Sequence, residues 1–141
     1  MRRRRAGGGV VFLVDTSAWI ETFRQPPRFD LGRYGGLEEV ATCLPVIQEV
    51  LQGFREETAF RTAREAMLAL PMVESPLRPE LFLQAADLFR AARRAGLTVR
   101  SGVDCLIAAC ALRHDLIVLH HDRDFPAIAR VSALRQESIQ R

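Results

Sequence analysis

The sequence predicts an α/β fold: a three-layer domain with a mostly parallel central sheet flanked by helices. Three observations carry that prediction. Val10 to Val14 is an unbroken apolar run, the pattern of a strand buried on both faces. Leu116 to Leu119 is a second such run near the other end of the chain. Around them, helical segments alternate with short apolar stretches, as in a parallel sheet with helical crossovers. At 141 residues, 48% of them apolar, the chain is sized for one domain with a moderate core.

The elements follow in order. Residues 1–9 hold Arg2 to Arg5 and Gly7 to Gly9, and are expected to form a disordered tail; residues 10–141 form the single domain. After the first strand, Thr16 to Phe23 reads as a helix with Trp19, Ile20 and Phe23 on one side. Gln25 to Gly36 is rich in proline and glycine and reads as a loop. Ala41 to Leu44 is expected as a short strand. Pro45 suits a first helical turn, and that helix should reach about Arg55. Glu56 to Leu70 carries Phe60, Ala63, Met67 and Leu70 at helical spacing, and Pro71 ends it. Met72 and Val73 are expected as a strand closed by Pro76. Glu80 to Ala95 is a helix stopped by Gly96. Ser101 to His114 is a further helix, apolar around most of its circumference and therefore buried on nearly all sides. After the strand Leu116 to Leu119, a last short helix and a strand finish the chain.

Charge is unevenly placed. The formal net charge is +3, and all 20 basic residues are arginine. Without the first four arginines the remainder is close to neutral, so the basicity belongs to an arm. Such an arm either adds salt-dependent, sequence-blind nucleic-acid affinity or is an expression scar or the product of too early a start codon. The absence of lysine excludes a Walker A loop and Schiff-base chemistry. No apolar run reaches the ~18 residues of a membrane span, and the run nearest the N-terminus, Val10 to Val14, is shorter than the roughly 7–15 of a secretory signal. Cys43, Cys105 and Cys110 show no metal spacing, which fits a reduced, cytoplasmic protein without a membrane role.

The acids are the candidate site. Asp15 ends the first strand, where it serves either as the N-cap of the next helix or at the active edge of the sheet. Val46, Ile47, Val50, Leu51 and Phe54 form one apolar helix face, and Glu49 falls roughly 60° outside it, beside Gly53. That glycine leaves room beside a carboxylate that is otherwise an ordinary surface Glu. Asp104 sits on the buried helix, where an unpaired charge is expensive; Ser101 three residues earlier also makes a capping-box pattern. Asp122 and Asp124 flank Arg123 just after a strand, in a polar turn or a site. His120 and His121 lack the partners of a zinc site. Strand ends and the starts of following helices share one edge of a wound parallel sheet. Four or five acids converging there must take up protons or share a hard divalent ion, Mg2+ or Mn2+.

The segments Val14 to Glu21, the helix with Glu49 and Gly53, Ser101 to Leu112 around Asp104, and His121 to Phe125 together resemble PIN-domain ribonucleases. The closest likeness is to the VapC toxins of bacterial VapBC toxin–antitoxin modules, over about Val11 to Val131. The resemblance implies a PIN domain over residues 10–141 and an endoribonuclease dependent on Mg2+ or Mn2+, attacking RNA phosphodiesters with activated water. By position it implies Asp15, Glu49, Asp104 and Asp122 as the acidic quartet and Asp124 as a fifth acid. Asp15 and Asp104 would be the direct metal ligands, with Glu49 and Asp122 binding metal or its waters. Thr16 or Ser17 would orient the phosphate or a carboxylate. Arg24, Arg28, Arg55, Arg100 and Arg123 are candidates for holding RNA. A cognate antitoxin and a homodimer are the implied partners. His120 departs from the family's frequent Thr or Ser two positions before the fourth acid. The alternatives are an RNA-processing PIN nuclease outside any toxin module and a non-catalytic PIN-like binding module.

Overall fold

A computed structural model describes residues 9–139; the expected N-terminal tail lies outside the described residues except for Gly9. Among the described residues, four strands form one sheet: β1 (Phe12–Val14), β2 (Val40–Ala41), β3 (Ile117–His120) and β4 (Arg135–Ser138). Their spatial order is β2-β1-β3-β4, and every pairing is parallel. The central strand is apolar throughout because both its faces are covered: Leu13 and Val14 have no exposed surface, nor do Val118 and Leu119 beside them.

The helices are α1 (Thr16–Phe23), α2 (Leu44–Gln52), α3 (Glu57–Leu68), α4 (Pro79–Arg94), α5 (Gly102–Arg113) and α6 (Asp124–Ala129). α5 is the buried helix expected from its composition, with Cys105, Ile107, Ala108, Ala109, Cys110 and Ala111 all at zero exposure. Its small residues let it pack closely against α4 and β3. Gly96 ends α4 at φ +76°, a conformation glycine adopts without a Cβ clash, and Leu97 N–H closes the turn on Ala92 O at 2.9 Å. The three cysteines are buried and unbridged. Among the described residues, no helix is long and apolar enough to cross a membrane.

Some boundaries differ from the sequence expectation. β2 is Val40–Ala41, and Leu44 already belongs to α2, whose first turn holds Pro45. α2 stops at Gln52 because Gly53 caps it, three residues short of Arg55. Met72 makes an isolated bridge to Thr42, with Val73 N–H donating to Thr42 O at 3.0 Å, in place of a strand. The loop from Gln25 contains a 3-10 turn, Leu31–Tyr34, whose Leu31 and Tyr34 join the core with Phe29.

Leu13→Ala opens a cavity at the centre of the sheet and is expected to lower stability by about 3 kcal/mol in a urea titration. A loss below about 1 kcal/mol would show that this centre is not close-packed.

Candidate active site

The site forms where the sheet's connections diverge. From β1 the chain moves towards β2, and from β3 towards β4, on the opposite side. A crevice therefore opens between the carboxyl ends of β1 and β3, the usual ligand position in such sheets. Asp15 stands at the end of β1, held there by its backbone N–H donating to Leu119 O of β3 at 2.8 Å.

Asp15 both caps a helix and stands in the site. Its Oδ2 accepts from Ser17 N–H at 3.0 Å and from Ser17 Oγ at 2.5 Å. Its Oδ1 is buried and accepts no hydrogen bond. Burial pushes its carboxyl up to about 6; the Ser17 bonds oppose this, and the negative charge of Glu49 adds to it. The Ser17 hydroxyl also accepts from His121 N–H at 2.8 Å, which ties the loops after β1 and β3 together. Glu49 is half-buried rather than freely solvated, and the Thr16 hydroxyl donates to its Oε1 at 2.9 Å. Thr16 and Ser17 thus orient carboxylates.

Asp104 lies in the first turn of α5, 6% exposed, and its Oδ2 is buried without a hydrogen-bond partner. Burial, the charge of Asp15 and a hydrogen bond to Asp124 push its carboxyl up to about 9. The capping box offered by Ser101 does not form, because the Ser101 side chain makes no capping bond. Asp124, from another element, instead anchors the chain that enters α5. Its carboxylate accepts from Arg100 N–H at 3.0 and 3.1 Å and from Ser101 N–H at 3.0 Å. No local sequence pattern signals an anchor supplied from so far along the chain.

Asp122 completes the group. Its Oδ1 accepts from Asp124 N–H at 2.9 Å, and its own N–H donates to His120 Nδ1 at 3.1 Å. One carboxylate oxygen from each of Asp104, Asp122 and Asp124 lies within 4.8 Å of the others. The Arg100 guanidinium is 3.8 Å from Asp122 Oδ1 and 3.9 Å from Asp124 Oδ1. It is 59% exposed, so water screens much of its attraction. Orphaned oxygens on Asp15 and Asp104, among donors that are all hard carboxylates, fit a hard divalent cation.

His120 is 1% exposed, with Nε2 2.6 Å from Gln136 Oε1. With both ring nitrogens engaged, it is not a zinc ligand. Burial holds its pKa below the ordinary histidine value.

Two grooves adjoin the acids. One, of about 350 Å3, is lined by Arg100, His121, Asp122, Arg123 and Ser138, among others. The other, of about 270 Å3, is mainly apolar, with Ile20, Phe23, Phe54 and Arg24 around Glu49 and Gly53. A Cβ at Gly53 would meet only Val50 O, at 3.4 Å, and Glu49 O, at 3.9 Å. Arg24 pairs with Glu21 at 3.6 Å, and Arg28 and Arg55 are exposed.

A family profile described as the PIN domain matches residues 12–131. VapC ribonuclease Mb1587 of Mycobacterium bovis is 39% identical over 135 residues, covering 92% of this chain and 100% of that one. Among solved structures, DNA-bound VapBC from Salmonella typhimurium has a TM-score of 0.72 at 18% identity, covering 92% of this chain and 98% of that one. VapBC-5 from Mycobacterium tuberculosis, a member of the VapBC family of toxin-antitoxin systems, has a TM-score of 0.65 at 22% identity, covering 94% and 99%. The two structures share this fold.

Without a cation, Asp104 keeps a proton that the unfolded chain releases near the ordinary 3.8, and it does so up to about 9; Asp15 does the same up to about 6. The folded state then binds more protons than the unfolded one, and stability falls as pH rises through this window. Asp104→Asn keeps a donor for Asp124 and removes the larger part of that fall. Metal-free melting at pH 5 and pH 8 should show the wild type losing more stability than the variant, by on the order of 1–3 kcal/mol. Equal losses would contradict a protonated Asp104.

Proposed function

Because the chain belongs to the PIN-domain family, and within it to the VapC ribonucleases, we propose that it cleaves RNA phosphodiesters with Mg2+ or Mn2+ held between Asp15 and Asp104. The observation that carries this is the pair of buried carboxylates, each with an oxygen that accepts no hydrogen bond, in the crevice between β1 and β3. A bound divalent ion supplies activation of water and stabilisation of the departing oxyanion.

The protein's own residues do the rest. Ser17 occupies Oδ2 of Asp15 and leaves Oδ1 for the ion. Thr16 holds Glu49, and Asp124 holds Asp122, so that both acids bind metal or its waters. Asp124 is a member of the acid cluster, and its larger part is bracing, since it fixes the backbone that leads into α5 and so places Asp104. RNA lies along the groove of Arg100 and Arg123, whose cations face an otherwise acidic site. Water attacks in line with the leaving oxygen.

Partners follow from the remaining surfaces. The apolar groove beside Glu49 suits an antitoxin segment that presents apolar side chains and one cation to that carboxylate. Phe82 and Val103 are exposed along a mainly apolar groove of about 550 Å3 between α4 and α5, which suits a homodimer. The module works in the cytoplasm, where RNA is present and its three cysteines stay reduced.

Asp15→Ala and Asp104→Ala should each reduce RNA cleavage in Mg2+ or Mn2+ by more than about a hundredfold, beyond the loss typical of a supporting contact. Each variant should keep the wild-type circular dichroism spectrum. Cleavage at the wild-type rate by either would overturn the proposal. Phe82→Glu should shift the species seen by light scattering from dimer to monomer; an unchanged mass would remove the α4–α5 groove as the dimer face.

A further inference from the structure

We infer that His120 is a positioning residue: a neutral imidazole protonated on Nε2 that anchors the backbone of Asp122 to β4 through Gln136. The inference rests on the metal-dependent site proposed above. Its physical basis is the hydrogen bonding of a ring that has almost no contact with water. Asp122 N–H donates to His120 Nδ1 at 3.1 Å, and a ring nitrogen that accepts carries no proton. The proton of the neutral ring therefore sits on Nε2, which donates to Gln136 Oε1 at 2.6 Å. The ring is fixed from a third side by Phe125, with centroids 5.1 Å apart. Its backbone is part of the sheet, since His120 O accepts from Ile139 N–H at 2.8 Å.

The bond to Gln136 has a consequence for the acids. Asp122 is held at its N–H by His120 and at Oδ1 by Asp124 N–H. Asp124 in turn accepts from the backbone of Arg100 and Ser101, which leads into α5 and Asp104. An unbroken run of hydrogen bonds thus joins edge strand β4 to the helix that carries the most perturbed carboxyl. Among the described residues β4 pairs with a neighbour on one side only, so this run ties the edge of the sheet to the site. A serine, threonine or asparagine at 120 would accept the Asp122 N–H locally and would not reach Gln136. Histidine does both.

Three variants separate the parts. His120→Leu keeps volume and accepts nothing, His120→Asn keeps the local acceptor, and Gln136→Leu removes the anchor on a half-exposed strand. Long-range nitrogen–proton NMR on metal-free wild type should show His120 as the Nε2–H tautomer; the Nδ1–H tautomer would overturn the inference. For His120→Leu, Mn2+ affinity by calorimetry and kcat for RNA cleavage should each fall roughly 10–100-fold, with KM within about threefold. Gln136→Leu should lower Mn2+ affinity in the same direction. His120→Asn should recover at least about half of the logarithmic loss seen in His120→Leu. Wild-type Mn2+ affinity in both His120→Leu and Gln136→Leu would overturn the inference, as would an Asn variant no better than Leu at equal melting temperature. Wild-type protein that binds Mn2+ and cleaves no RNA would defeat the proposed activity, while the tautomer and the Mn2+ affinities would still decide the role of His120.

Discussion

Asp15 and Asp104 hold carboxyl groups almost out of water, each with one oxygen that accepts no hydrogen bond, and Glu49, Asp122 and Asp124 add further acids around them. Ionised carboxylates in such surroundings are unfavourable by several kcal/mol unless a cation joins them. Without one, the protein answers by retaining protons, most of all on Asp104. The rest of the site can be understood as the means of keeping these groups together despite that penalty. Ser17 satisfies one oxygen of Asp15 and the Asp124 N–H one of Asp122, while Oδ1 of Asp15 and Oδ2 of Asp104 are left open.

Holding the acids falls to elements whose stability does not depend on them. β1 is secured by apolar packing on both faces and by strands on both sides. α5 is secured by a near-complete apolar surround built from alanine and cysteine. A local penalty at the first turn of α5 is therefore carried by packing along its remaining turns. Proteins commonly concentrate unfavourable groups at functional sites and offset them elsewhere, and a cation joining these acids would stabilise the fold as well as serve the proposed chemistry.

Much of the fold was legible in sequence because it is encoded locally. The apolar run of β1, the all-round apolarity of α5 and the stop at Gly96 each follow from residues within one element. The ends of β2 and α2 were harder to place, because strand pairing and the Gly53 cap set them. The bridge at Met72 depends on Thr42, thirty residues away in sequence. The same division holds in the site. Asp15, Glu49, Asp104 and Asp122 were visible as acids at strand ends and helix starts. Thr16 and Ser17 were visible too as residues that orient a carboxylate, but the long-range ties were not: Asp124 anchors the chain entering a distant helix, Ser17 also joins the loop after β3, and Gln136 anchors His120 from an edge strand. Net charge was informative only once divided along the sequence, since its excess comes from Arg2 to Arg5 and the rest of the chain is close to neutral.

Proton release on metal binding tests the central claim most directly. Calorimetric titration of Mn2+ into the protein at pH 7, repeated in buffers of different ionisation enthalpy, counts the protons displaced. If Asp104 is held protonated by burial and charge crowding, binding should release about one proton per ion, and the observed heat should vary with the buffer. Loss of that release in Asp104→Asn would locate the proton. Tight Mn2+ binding with a heat independent of the buffer would contradict the account, and so would the absence of any binding.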